Sequence, residues 1–118
     1  MLRRVAVLAL LVLAAACGDD PPTDPRVDAH AALCEAAARP AEARSLFFDR
    51  SHDALHTVAR DVEDVDRAQA AELLQAKERV ESGLDAPGPS LADDISRLAD
   101  VYRTSLGRLA IEAPPCEK

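Results

Sequence analysis

Apolar residues in the second half of the chain recur at every third or fourth position. Leu55, Val58, Val62, Val65, Leu73, Ala76, Val80 and Leu84 draw one stripe, with Gln69 standing in its line. That period is the mark of an amphipathic helix. The stripe predicts a helix from Ser51 to about Ser82, about 48 Å long at the helical rise per residue. Gly83 and the Pro87-Gly88-Pro89 turn end it. Asp66, three residues before Gln69, offers a second capped start, and with it a kink. Beyond the turn, Leu91, Ile95, Leu98, Tyr102, Leu106 and Leu109 fall within about 80° of arc on a helix, with Asp93, Arg97 and Asp100 opposite. Ser90 opens this last helix as a capping-box variant with Asp93, and Pro114-Pro115 closes it.

The first half is less periodic. Asp24-Pro25 is a good helix start, because Asp can cap and proline at the first helical position loses no needed hydrogen bond. This helix runs to about Arg39, where Pro40 biases the preceding residue away from helical geometry. Pro40 then opens a short helix through Phe47 or Phe48, whose rings are expected to plug the core. Two long helices joined by a short turn pack antiparallel. The expected fold is therefore all-α: a small three- to four-helix bundle, one long helix antiparallel to the C-terminal helix. Its core of Val, Leu and Ala buries little area, and small domains of that kind usually need a staple.

Composition agrees with helix. Alanine is abundant, there are two Phe, one Tyr and no Trp, and β-branched residues are sparse outside a few Val. The formal charge is −7. A chain this acidic is a poor match for nucleic acid, which rewards clustered Lys and Arg. Its own surface would also be repelled by anionic lipid.

The N-terminus has a different character. Arg3 and Arg4 precede an apolar run from Val5 to Ala16. A membrane span needs about 20 residues; this run is shorter and fits the apolar region of an export signal. Ala14-Ala15-Ala16 reads as the small-residue cleavage site of a secreted protein. The same residues followed by Cys17 resemble the lipobox of bacterial lipoproteins, with Leu13 one place ahead of the usual leucine position. The resemblance covers residues 1–17 only. It implies a signal peptide over 1–16, a diacylglyceryl thioether with N-acylation such as palmitate on Cys17, and attachment to the cell membrane or outer membrane through that lipid. Residues 17–25, rich in Asp and Pro, then form an extended tether about 25 Å long, and 26–118 the helical domain. Loss of Arg3 and Arg4 with the signal takes the formal charge from −7 to −9.

Three cysteines are present, Cys17, Cys34 and Cys116. An odd count in an exported chain leaves one thiol to explain. If Cys17 carries lipid, Cys34 and Cys116 remain as a disulfide pair in an oxidising compartment; if it does not, Cys17 is a free thiol at the new N-terminus. Used instead as thiols, Cys34 and Cys116 would serve metal or redox chemistry, although no C-x-x-C spacing is present.

The one other constellation is histidine. His52 and His56 are four apart on the expected helix, a spacing at which two imidazoles can share one metal. Asp49 and Glu63 fall on the same polar band, away from the core, and His30 is a third nitrogen if the first helix passes nearby. These residues are candidate ligands for copper or zinc, set against the ordinary reading of the same band as a solvated helix face. Glycines are scattered, no phosphate loop is present, and the letters "HDALH" match no catalytic motif. The expectation is a non-enzymatic, lipid-anchored envelope module that uses no cofactor and binds or scaffolds an envelope protein partner. The alternative is a metal-binding lipoprotein using His52 and His56.

Overall fold

The computed structural model describes residues 23–117. The expected signal peptide, Cys17 and most of the tether lie outside these described residues. The described chain is an all-α bundle. Its helices are α1 (Pro25–Ala38), a short α2 (Ala43–Leu46), α3 (His52–Glu63), α4 (Arg67–Asp85) and α5 (Leu91–Arg108). α1 packs on α5, α5 on α4, and α4 on α3, and α3 closes the ring against α1.

Helix α1 begins where the sequence places it. The Asp24 carboxylate accepts from the Arg26 N–H at 2.9 Å and so caps the first turn of α1. Arg39 ends the helix in a non-helical conformation, as proline at 40 requires. The segment after Pro40 differs from the expected separate helix. A single 3₁₀ turn (Pro40–Glu42) and α2 run into a π-helical turn over Phe47–Ser51, which continues without a break into α3. The Ser51 hydroxyl, buried, donates to the Ala29 carbonyl at 3.1 Å and ties this turn to α1.

The expected long helix is two helices. The chain leaves helical geometry after Glu63, and Asp66 starts α4 by accepting from the Gln69 N–H at 3.0 Å. The kink allowed at Asp66 is a full reversal: His52 near the start of α3 lies 3.4 Å from Glu81 near the end of α4. Val65, assigned to the stripe, therefore sits in the turn and is 63% exposed. Gln69 stays on the stripe and is buried, with its amide donating to the Ser105 hydroxyl at 3.0 Å and the Val101 carbonyl at 3.3 Å. α4 lies antiparallel to α5, with Asp66 paired to Arg108 at 2.9 Å and Glu72 to Arg97 at 3.6 Å. α4 also runs past the expected stop. Gly83 lies inside it; a Cβ there would stand 3.0 Å from Leu91 Cδ1, so the bare glycine lets the two helices approach as the turn closes.

The stripe residues Leu55, Val58, Val62, Leu73, Val80, Ile95, Leu98, Tyr102 and Leu106 are fully buried. Of the two phenylalanines only Phe47 fills the core; Phe48 is 41% exposed. The capping box at Ser90 does not form. Its backbone is already helical, and its hydroxyl donates to Asp94 instead of accepting a backbone N–H. At the other end of α5 the chain turns back through two bonds, Ile111 N–H to the Leu106 carbonyl and Ala110 N–H to the Gly107 carbonyl. This pattern places Ala110 in the left-handed conformation, at φ 60°, where glycine is the usual residue. Cys34 of α1 and Cys116 of the C-terminal tail are disulfide-bonded, with Cα atoms 5.3 Å apart.

Glycine and alanine are interchanged relative to local preference at this helix end. Gly107 lies within α5, where an added methyl group would meet nothing within 4 Å, and Ala110 carries a Cβ where none is favoured. Ala110→Gly is expected to raise unfolding free energy by about 0.5–1 kcal/mol, the steric relief outweighing the added freedom of the unfolded chain. Gly107→Ala is expected to add about 0.5 kcal/mol through helix propensity. Urea denaturation of each variant checks both, and a loss of stability in either contradicts the assignment.

Candidate functional site

Two clusters of chemically capable side chains stand out among the described residues. The first lies across α3 and α4. The π turn and the first turn of α3 bring Phe47, Phe48 and His52 together, with ring centroids 5.0–5.8 Å apart. His56, one turn further on, meets His52 edge to face at 4.7 Å. From α4, Glu81 reaches back with one carboxylate oxygen 3.4 Å from His52 Nε2. Its other oxygen accepts from the Lys77 ammonium at 3.0 Å. Lys77 is buried, so Glu81 is its counter-charge as well as the partner of His52. Arg44 stands over the exposed Phe48 ring, 5.3 Å from its centroid.

This geometry keeps half of the expected metal set. His52 and His56 do come together. Asp49 and Glu63 do not join them: among the described residues the one group of three His, Cys, Asp or Glu donor atoms within 4.8 Å of one another lies elsewhere, at His30, Cys34 and Cys116. The π turn accommodates one more residue than an α turn and so rotates Asp49 off the expected band; its carboxylate accepts from Ser45 instead. Glu63 is two turns beyond His56 at the exposed end of α3, about 10 Å along the axis. A cation between the two imidazoles would also meet the Lys77 ammonium at close range. Desolvation, then Lys77 and the His52 ring, push the His56 pKa below its usual value, against Glu81 and Asp53.

The second cluster lies on the opposite seam, between α1, α5 and the tail. His30 is buried and stacks on Tyr102, with ring planes 9° apart and centroids at 6.3 Å. Both of its nitrogens lie near Cys34 Sγ, at 3.8 and 3.9 Å. His30 therefore serves the disulfide side of the molecule, and its near neighbours do not include His52 or His56. Tyr102, fully buried, donates to the Arg26 carbonyl at 2.7 Å and so holds the first turn of α1. Desolvation pushes the Tyr102 hydroxyl pKa up. Burial, reinforced by Arg103, holds the His30 pKa below 6.5, with Asp100 opposing. A groove of ≈530 Å³ opens beside the disulfide, walled by Val27, His30, Ala38, Pro114 and Pro115, with Glu35 and Glu117 at its edge.

Sequence reasoning passed over Lys77 and Glu81. A signal was present: Lys77 follows Leu73 by four and precedes Val80 by three, which puts a cation on the core face, and Glu81 is its partner four residues on. The pairing of His30 with Tyr102 and the tail had no such signal, because those residues belong to elements far apart in the chain.

Two outcomes follow from these clusters. Removing Glu81 leaves a buried ammonium unpaired, so Glu81→Ala is expected to cost roughly 1–3 kcal/mol, whereas Lys77→Met, which removes the buried charge itself, is expected to stay within about 1 kcal/mol of wild type; chemical denaturation of both variants and the double variant checks this. The second outcome concerns pH. A histidine whose folded pKa lies below 6.5 takes up a proton more readily when unfolded. Its contribution to stability is complete above about pH 6.5 and is lost as pH falls through the folded pKa. Denaturation midpoints at pH 7.5 and 5 are expected to show that decline, reduced in His30→Gln and less altered in His56→Gln; an unchanged slope in His30→Gln would contradict it.

No protein-family model, characterised protein or solved structure matches this chain, so its site is defined by its own geometry.

Proposed function

We propose that this protein is a lipid-anchored, non-enzymatic module of the bacterial cell envelope that presents its helical bundle to a protein partner. The observation that carries the reading is the sulfur arithmetic. Cys34 and Cys116 are joined, and the one cysteine left over, Cys17, stands where an apolar run of export-signal length ends. A disulfide between residues 82 apart suits an oxidising compartment. Among the described residues no helix is long and apolar enough to cross a membrane, so membrane attachment in this reading falls to the acyl chains on Cys17. Two or more acyl chains hold a protein durably where one does not. The exposed face of the α2–α3 segment, with Phe48 beneath Arg44, suits a partner contact because Arg and aromatic side chains are favoured there.

A second reading, copper or zinc held by His52 and His56, draws on their 4.7 Å approach and on Glu81 beside them. Lys77, buried at the same place, weighs against it. Metal analysis of protein purified without a histidine tag separates the two: stoichiometric copper or zinc that disappears in His52→Ala/His56→Ala would give the second reading the lead.

The intact mass of protein extracted from membranes tests the first. The expected species begins at Cys17, carries the mass of its acyl groups, and is two hydrogens lighter than the reduced chain. A Cys17→Ala variant is expected to lose membrane retention. An unprocessed chain in the cytosol with all thiols reduced would overturn the reading.

A further inference from the structure

The groove beside the disulfide has one firm wall and one loose one. The firm wall is α1, which lines it with Val27, Ala31 and Ala38. The loose wall is residues 114–117 of the tail. As far as Ala113 the tail is built into the bundle. Ile111 N–H bonds back to the Leu106 carbonyl, Ala113 is buried, and the Arg103 guanidinium donates to the Ala113 carbonyl at 2.7 Å. Beyond Ala113 the fastening changes. Pro114 and Pro115 are exposed and have no N–H to donate. Among the described residues the hydrogen bonds of the tail stop at Ala113, and what joins 114–117 to α1 is the Cys34–Cys116 bond, with Cys116 itself half-buried. We propose that 114–117 is a reductively released strap: exchange of this disulfide with a dithiol protein frees the segment, removes one wall of the groove and bares the Val27, Ala31 and Ala38 face of α1, while the bundle stays folded.

Three features separate such a strap from a staple of the whole domain. First, α1 keeps fastenings that do not pass through the tail. Tyr102 donates to the Arg26 carbonyl, Ser51 donates to the Ala29 carbonyl, and His30 stacks on Tyr102. Second, both cysteines are partly exposed along the groove, so a thiolate reaches them without unfolding the chain. Third, the Arg103 bond to Ala113 marks a hinge, and two prolines directly after it make a stiff arm that swings as one piece. The chemistry balances. A thiolate of the dithiol protein attacks Cys116 Sγ, the sulfur on the loose side, and forms a mixed disulfide. The bond to Cys34 breaks, and Cys34 leaves as a thiolate that takes a proton from solvent. The second thiol of the reductant, losing its proton, displaces Cys116, which is protonated in turn. The reductant is oxidised by two electrons to its own disulfide, and this chain is reduced by two electrons to two thiols.

The test uses the full chain carrying Cys17→Ser, so that Cys34 and Cys116 are its only thiols, with dithiothreitol as the dithiol. Loss of the bond is expected to be first order in dithiothreitol, with a rate that changes less than about twofold in urea kept below the unfolding transition. Far-ultraviolet ellipticity is expected to stay that of the oxidised protein. In the reduced form the backbone order parameter of Glu117 is expected to fall from about 0.85 to below about 0.6, with Ile111 still rigid. Cys34 is expected to react with N-ethylmaleimide in the absence of urea. Arg103→Ala is expected to extend the mobility back to Ala113 in the reduced form and not in the oxidised one. Loss of ellipticity on reduction would overturn the inference, because the bond would then be holding the whole bundle. So would a reduction rate that climbs steeply with urea, a Glu117 amide that stays rigid without the bond, or a Cys34 thiol that resists alkylation until the protein unfolds.

Discussion

The seam between α1 and the C-terminal part of the chain is what this small domain depends on. α1 buries Ala29, Ala32, Leu33 and Ala36, a face with one large aliphatic side chain. Fully burying a leucine contributes about 1.5–3 kcal/mol, and ordering the backbone costs on the order of 1–2 kcal/mol for every residue of the helix. Apolar contact alone therefore holds α1 poorly. The deficit is met by directional bonds at spaced points: Tyr102 to the Arg26 carbonyl, Ser51 to the Ala29 carbonyl, the stack of His30 on Tyr102, and the covalent bond from Cys34 to Cys116. Joining residues 82 apart in sequence, that bond removes about 4–5 kcal/mol of loop entropy from the unfolded chain in the entropic model.

The other three long helices rely on a different principle. α3, α4 and α5 carry true apolar stripes, and their packing is a conventional antiparallel arrangement with polar locks at its ends. Asp66 is the most economical of these. One carboxylate oxygen caps α4 through Gln69 N–H, and the other takes the Arg108 guanidinium, so one side chain starts a helix and sets its register on the next. Gln69 and Ser105 repeat the register signal inside the core. Every buried side-chain nitrogen and oxygen among the described residues has a hydrogen-bond partner, so these polar insertions specify packing without leaving an orphaned group.

The two clusters divide between these regions. The aromatic and imidazole group at the α3–α4 seam is open to solvent at Phe48 and is built around the buried Lys77 ammonium and its partly exposed partner Glu81. At the α1–α5 seam His30 and Tyr102 are buried, while the disulfide beside them is partly exposed along the groove.

Periodicity in the chain determined the helices, because a 3.6-residue repeat of apolar side chains has one compact solution. Asp24, Pro40 and the Pro87-Gly88-Pro89 turn marked boundaries for the same local reason, and the odd cysteine count pointed to the pair that is bonded. Tertiary structure alone decided three things. It turned the stripe back on itself at Val65, since a stripe keeps its period whether or not the helix is interrupted. It separated Asp49 from His52, since a π turn shifts register and arises from packing of Phe47 and Ser51 against α1. And it brought His30 to the sulfurs and to Tyr102, residues whose meeting depends on how α1 crosses α5 and on nothing written in their own neighbourhoods.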